Sequence, residues 1–139
     1  MEPDGNEIDS KQMLWLRAEL ALSKARWKVI LIHEPPFSSS STYWPGYSLL
    51  RMPYRSWGAN LIMSGHGHSY ERFFIDGTTY IVAGTGGHSL DPFNETTTAG
   101  SVFQQCAFGH VELVVDAFQL STEFVRYDGK RFDQFRIGA

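Results

Sequence analysis

Two unbroken apolar runs, WKVILIH (Trp27–His33) and ANLIMSGH (Ala59–His66), each finish on a histidine. Continuous runs rich in Val, Ile and Leu are the pattern of strands covered on both faces, as in parallel sheets. The first run stops at HEPPF, because Pro35 and Pro36 cannot continue a ladder. Between the runs, Leu49–Trp57 reads as a short helix that Pro53 limits or breaks. Strand, helix and strand in this order predict a parallel pair. Upstream, Asp9 followed by Gln12 predicts a capping box opening a helix over 10–25, with Met13, Leu16 and Leu20 on one face.

The second half changes character. FFIDGTTYIVAGTGG carries Asp76-Gly77, a strong hairpin signal, between two strand-like runs. FGHVELVVD, FQLSTEFVR and KRFDQFRIG then read as successive antiparallel strands, the last two joined by the YDGK turn. At 139 residues the whole is expected to be one domain, 1–139, of α/β class passing into a β-meander. A net charge of −3 gives no electrostatic case for a nucleic-acid partner. No run approaches the roughly 18 apolar residues of a membrane span, and the first twenty residues lack a signal peptide's apolar core. Cys106 is the single cysteine, so neither an internal disulfide nor a multi-cysteine zinc site is possible. Asn94-Glu95-Thr96 fits an N-glycosylation sequon, a triplet common by chance.

The chemistry concentrates at the strand ends. Ligands of open α/β sheets gather at the carboxyl ends of the strands, where His33 and His66 fall. If the strands are parallel neighbours, both imidazoles enter one crevice, and His68 follows after a single glycine. Neutral imidazole is a frequent ligand of zinc, iron and manganese-type ions, so these three histidines are the candidate metal ligands. The glycine-rich AGTGGHS (Ala83–Ser89) reads either as a phosphate cradle or as a tight turn needing positive φ. Glu34, Tyr43 and His88 are candidate substrate contacts; equally, Glu34 can face solvent and Tyr43, with Trp44, can cover the core edge. Glu71-Arg72 reads as a buried pair bracing the histidine loop, and His110 as a packed sheet residue.

VILIHEPPFSSSS, GHGHSYERF and GTTYIVAGTGG together resemble the later motifs of the calcineurin-like metallophosphoesterases, most closely their purple acid phosphatase-like branch. The resemblance covers nearly the whole chain, with Gly-His-x-His-x-Tyr-Glu-Arg its most specific part. It implies the C-terminal half of an α/β/β/α sandwich, parallel strands with helices followed by antiparallel strands. It also implies that His33 and His66 ligate one metal of a dinuclear Zn, Fe or Mn centre, and His68 the other. The activity implied is hydrolysis of a phosphoester substrate, and the location secreted or periplasmic. The family's aspartate motifs and its Gly-Asn-His are missing, and Asp4–Glu7 (DGNE) is not a substitute for the latter. Two adjacent cations repel strongly unless anionic ligands neutralise them, which three imidazoles cannot do. At most one metal and little dinuclear catalysis are therefore expected of this chain alone. Dimerisation, or pairing with a missing N-terminal half, is expected to cover the sheet edge left open. The rival readings are a non-catalytic fragment or interaction module, and a mononuclear metal-binding protein.

Overall fold

A computed structural model describes residues 5–138. The first helix forms as α1 (Lys11–Leu22), but Ser10 caps it rather than Asp9. The Ser10 backbone is extended, as an N-cap requires, and its Oγ accepts from the Met13 N–H at 3.3 Å. Met13 and Leu20 are buried against the sheet with Leu16 beside them, while Trp15 and Leu22 are exposed.

The two apolar runs become β1 (Val29–Ile32) and β2 (Leu61–Ser64), parallel neighbours with Val29 opposite Leu61 and Ile32 opposite Ser64. The connection between them contains no α-helix. A 3₁₀ segment, Pro45–Leu50, is followed by turns, so the helix expected over 49–57 does not form. Prolines 45 and 53 set the breaks, since neither has an N–H for an i−4 carbonyl. Leu50, Met52, Tyr54 and Trp57 are nonetheless buried, and the Tyr54 hydroxyl donates to Leu50 O at 2.8 Å. Side-chain packing does here what a regular helix was expected to do.

β3 (Tyr70–Ile75) and β4 (Thr78–Ala83) form the hairpin read from Asp76-Gly77. Both turn residues have positive φ, 49° and 72°, the pairing that a two-residue turn matched to strand twist demands. β4 lies parallel to β2, and β3 pairs antiparallel on its far side with β5 (Ser101–Gln105). The sheet order is β1-β2-β4-β3-β5. β5 was not legible: SVFQQ is short and barely alternating, and only its ladder with β3 makes it a strand. β6 (Gly109–Val115), β7 (Gln119–Arg126) and β8 (Arg131–Gly138) make a separate antiparallel sheet, as read. His110 lies in β6 but is exposed rather than packed.

The five-stranded sheet is buried on both sides. One face meets α1 and the 45–59 segment through Ile30, Ile62, Phe73, Tyr80 and Val82. The other meets the three-stranded sheet through Leu61, Tyr70 and Ile81 against Leu120 and Phe124. Alternate residues of β2 and β4 thus serve two cores, the physical reason their runs carry no polar register. The result is three layers, helix on sheet on sheet, which is the α/β/β part of the expected architecture.

Glu71 and Arg72 do not pair. Neighbours on a strand point to opposite faces, and each finds a different partner. Glu71, fully buried on the helix side, accepts from Ser39 N–H (2.7 Å), Ser39 Oγ (2.6 Å), Ser101 Oγ (2.7 Å) and Gln104 Nε2 (2.8 Å). The serine run is therefore an interior loop: Ser38, Ser39 and Ser40 are buried. Arg72, on the other face, makes a bidentate pair with Asp133 of β8 at 2.7 and 2.6 Å. Asp133 also accepts from the Tyr70 hydroxyl at 2.7 Å.

Candidate metal centre

Because β1 and β2 are parallel and adjacent, the residues just past them emerge side by side. His33 Nε2 and His66 Nδ1 lie 3.3 Å apart, with the two rings nearly perpendicular. Two imidazole nitrogens bound at 2.0–2.1 Å to one tetrahedral ion would stand about 3.3 Å apart, so the pair fits a shared metal. The other nitrogen of His66, Nε2, is 3.0 Å from the Tyr47 hydroxyl. A partner on the second ring nitrogen fixes the tautomer and orientation of a ligating histidine. Burial and the charge of Glu34 hold the Tyr47 phenol above its ordinary pKa, so it stays neutral in that role.

The loop that carries His66 is strained and tightly backed. His66 has φ 56°, in the left-handed region. Gly65 N–H donates to His33 O at 3.1 Å, linking the two strand ends. Gly84 N–H donates to Gly67 O at 3.1 Å, and a Cβ at Gly84 would run into that carbonyl. Gly84 is therefore needed for close approach, while Gly87, at φ 127°, is the member of AGTGGHS that needs positive φ.

His68 belongs to a second group. Its backbone N–H donates to Asp91 Oδ2 at 3.0 Å, and its buried Nδ1, with no hydrogen-bond partner among the described residues, lies 3.8 Å from the same oxygen. Asp91 also accepts from Thr42 Oγ1 at 2.9 Å. Burial opposes ionisation of Asp91, but the hydrogen bonds from His68 and Thr42 and the nearby His68 and His66 rings prevail, holding its pKa below the usual value. The His88 ring lies 4.5 Å from that of His68, and Ser89 Oγ is 2.9 Å from His88 Nδ1. Among the described residues, no three His, Cys, Asp or Glu side chains gather as one metal site. The histidines fall instead into His33 with His66, and His68 with His88 and Asp91.

Of the other candidates, the Tyr43 hydroxyl donates to Pro36 O at 2.9 Å and braces the post-His33 loop. Glu34 is half-buried and lines a cleft of about 170 Å³ with Asn6, Trp44, Gly46, Tyr47, Leu49 and Leu50. Asp4 of the DGNE stretch lies outside the described residues. Tyr47 and Asp91 went unread in the sequence: Tyr47 is one residue of a 3₁₀ segment and Asp91 one residue of a loop, 19 and 23 positions from the histidine each meets.

The family model described as iron/zinc purple acid phosphatase-like protein C matches residues 77–134. The chain is 26% identical to the phosphoenolpyruvate phosphatase of Allium cepa, over 73% of this chain and 27% of that protein. It is also 26% identical to Fe(3+)-Zn(2+) purple acid phosphatase 12 of Arabidopsis thaliana, over 74% and 28%. The chain thus spans little more than a quarter of the curated relatives it matches. Its fold superposes on the purple acid phosphatase PPD1 of yellow lupin seeds with a TM-score of 0.83 at 25% identity, covering 96% of this chain and 29% of that one. GAP50, the inner membrane complex anchor of Plasmodium, shares the fold with a TM-score of 0.75 at 20% identity, over 88% and 40%. Fold, histidine loop and relatives agree that this chain is similar to the C-terminal portion of the purple acid phosphatase-like metallophosphoesterases.

Proposed function

We propose that this chain contributes the histidine side of a dinuclear phosphoester hydrolase centre. His33 and His66 would hold one ion and His68 the other, with carboxylates from sequence outside these 139 residues completing the shell. Bound there, Zn, Fe or Mn ions would activate a water and neutralise charge on the phosphoryl group. The observation that carries the reading is the 3.3 Å spacing of His33 Nε2 and His66 Nδ1. Tyr47 would keep the His66 ring turned to the ion, and Asp91 would orient His68. His88, exposed beside His68, would contact the phosphoryl oxygens, with Glu34 facing the leaving group. Tyr43 would act one step back, through the loop it braces. Among the described residues β1 pairs on one side only, and Leu31 on it is exposed; we expect the carboxylate-bearing portion to pair at that edge. A secreted or periplasmic location goes with the same reading.

Titration of the full chain with Co(II), followed by its visible spectrum and by calorimetry, tests the metal assignment. One equivalent should bind, with His33→Ala or His66→Ala weakening it at least about tenfold, the loss attending removal of a ligand or its partner. Failure of the unaltered chain to bind any divalent ion overturns the reading. Hydrolysis of p-nitrophenyl phosphate is expected only after the carboxylate-bearing portion is added.

A further inference from the structure

We propose that the cleft beside the histidine pair binds a protonated amine, so that the preferred substrates are phosphoesters with an ammonium group on the alcohol side. This rests on the reading of His33 and His66 as phosphoesterase ligands. Position comes first. Tyr47 is both a wall of the cleft and the partner of His66, and Glu34 directly follows His33. A group in the cleft therefore lies one side chain from the pair.

Three features of the lining ask for the same chemistry. The Glu34 carboxylate is half-buried, and among the described residues no Lys, Arg or His nitrogen lies within ion-pair distance of it. Among the described residues, Asn6 Oδ1 is a buried acceptor without a donor. Buried polar atoms normally have partners, so this acceptor favours an N–H donor. Trp44 is 58% exposed yet held in place: its ring sits edge-to-face on Tyr47 at 5.3 Å. It also lies over Gly46, where a Cβ would overlap three of its ring carbons. An exposed indole fixed in this way presents a π face, to which cations are attracted. An ammonium group, with three donors and one positive charge, matches the chemistry of the carboxylate, the amide oxygen and the ring that line the cleft. A neutral alkyl group would leave Asn6 unpaired, and a second phosphate would be repelled by Glu34. At about 170 Å³ the cleft suits a two- or three-carbon amine rather than a nucleoside.

The test titrates the full ¹⁵N-labelled chain with 2-aminoethyl phosphate and with propyl phosphate, which has the same length but no charge on the alcohol side. The Trp44 indole N–H resonance, assigned by its loss in Trp44→Phe, should shift saturably with the amine. Propyl phosphate should bind about tenfold more weakly, and Glu34→Gln should erase the difference. Equal binding of the two esters, no shift with either, or discrimination that survives Glu34→Gln overturns the proposal. Sedimentation with mixed phosphatidylcholine and phosphatidylethanolamine vesicles, against phosphatidylcholine alone, separates a lipid-borne amine from a soluble one. The titration needs no metal, so failure here with Co(II) still bound sinks this inference alone. Discrimination without any metal binding sinks the phosphoesterase reading instead.

Discussion

His66 holds a left-handed φ of 56° that glycine would adopt more easily, so its side chain is kept at a conformational cost. We therefore expect His66→Gly to leave stability within about 1 kcal/mol of the parent, strain relief offsetting the lost Tyr47 hydrogen bond. The same substitution should abolish metal binding. Urea denaturation and the Co(II) titration check the two halves, and a large destabilisation would show that the histidine is there for packing. At this scale the sequence placed His33 and His66 together at adjacent strand ends, where the structure has them, whereas His68, expected in the same crevice, lies with Asp91 and His88. It was misread at Glu71-Arg72, because adjacency along a strand means separation in space.

Among the elements, β8 is tied to β3 through a bulge. The register of β7 on β8 shifts between Thr122 and Phe124, and Asp133 there takes φ 51°, facing Tyr70 and Arg72. The Arg72 and Asp133 side chains are only 14% and 5% exposed, so their attraction is little screened. Asp133→Asn, which tolerates the same φ, should destabilise by about 2 kcal/mol through the lost charge-assisted bonds. Asp133→Ala should reach about 3–5 kcal/mol, since it removes the charge and also the side-chain oxygen that Asn still offers, leaving both Arg72 and the Tyr70 hydroxyl without an acceptor. Denaturant melts of both variants read the difference; equal, small losses would mean that the clamp is incidental. Gly84→Ala acts at the join of β4 and the histidine loop. The added Cβ meets the Gly67 carbonyl, and a loop displaced by even about 1 Å should lose at least tenfold in metal affinity. Unchanged Co(II) binding in that variant would contradict the role of Gly84. The hairpins were readable because turn chemistry is local; β5 and the irregular 45–59 connection were not, because neighbouring strands and core packing define them.

For the molecule as a whole, two buried phenols report the integrity of both cores. Burial raises the pKa of Tyr54, with Tyr80 adding to it. Burial also raises that of Tyr70, reinforced by its hydrogen bond to Asp133 and that carboxylate's charge. A folded pKa above the unfolded value of about 10 means that stability is complete below pH 10. It is then lost as pH rises through the folded values, because the unfolded chain ionises first. Phenolate absorbance at 295 nm from these two residues should therefore grow only as the circular dichroism signal collapses. Tyr54→Phe or Tyr70→Phe should each remove part of that late amplitude, and early ionisation of all six tyrosines with the fold intact would contradict the assignment. What the sequence alone determined is every strand except β5, the main turns, and the place of His33 and His66 at the ends of neighbouring parallel strands, all encoded in short-range patterns of burial and backbone freedom. Only the tertiary structure decided that Tyr47 meets His66, that Asp91 meets His68, and that a serine loop closes over Glu71. Those contacts join residues 19 to 32 positions apart, and local periodicity carries no information about which distant polar groups will satisfy one another.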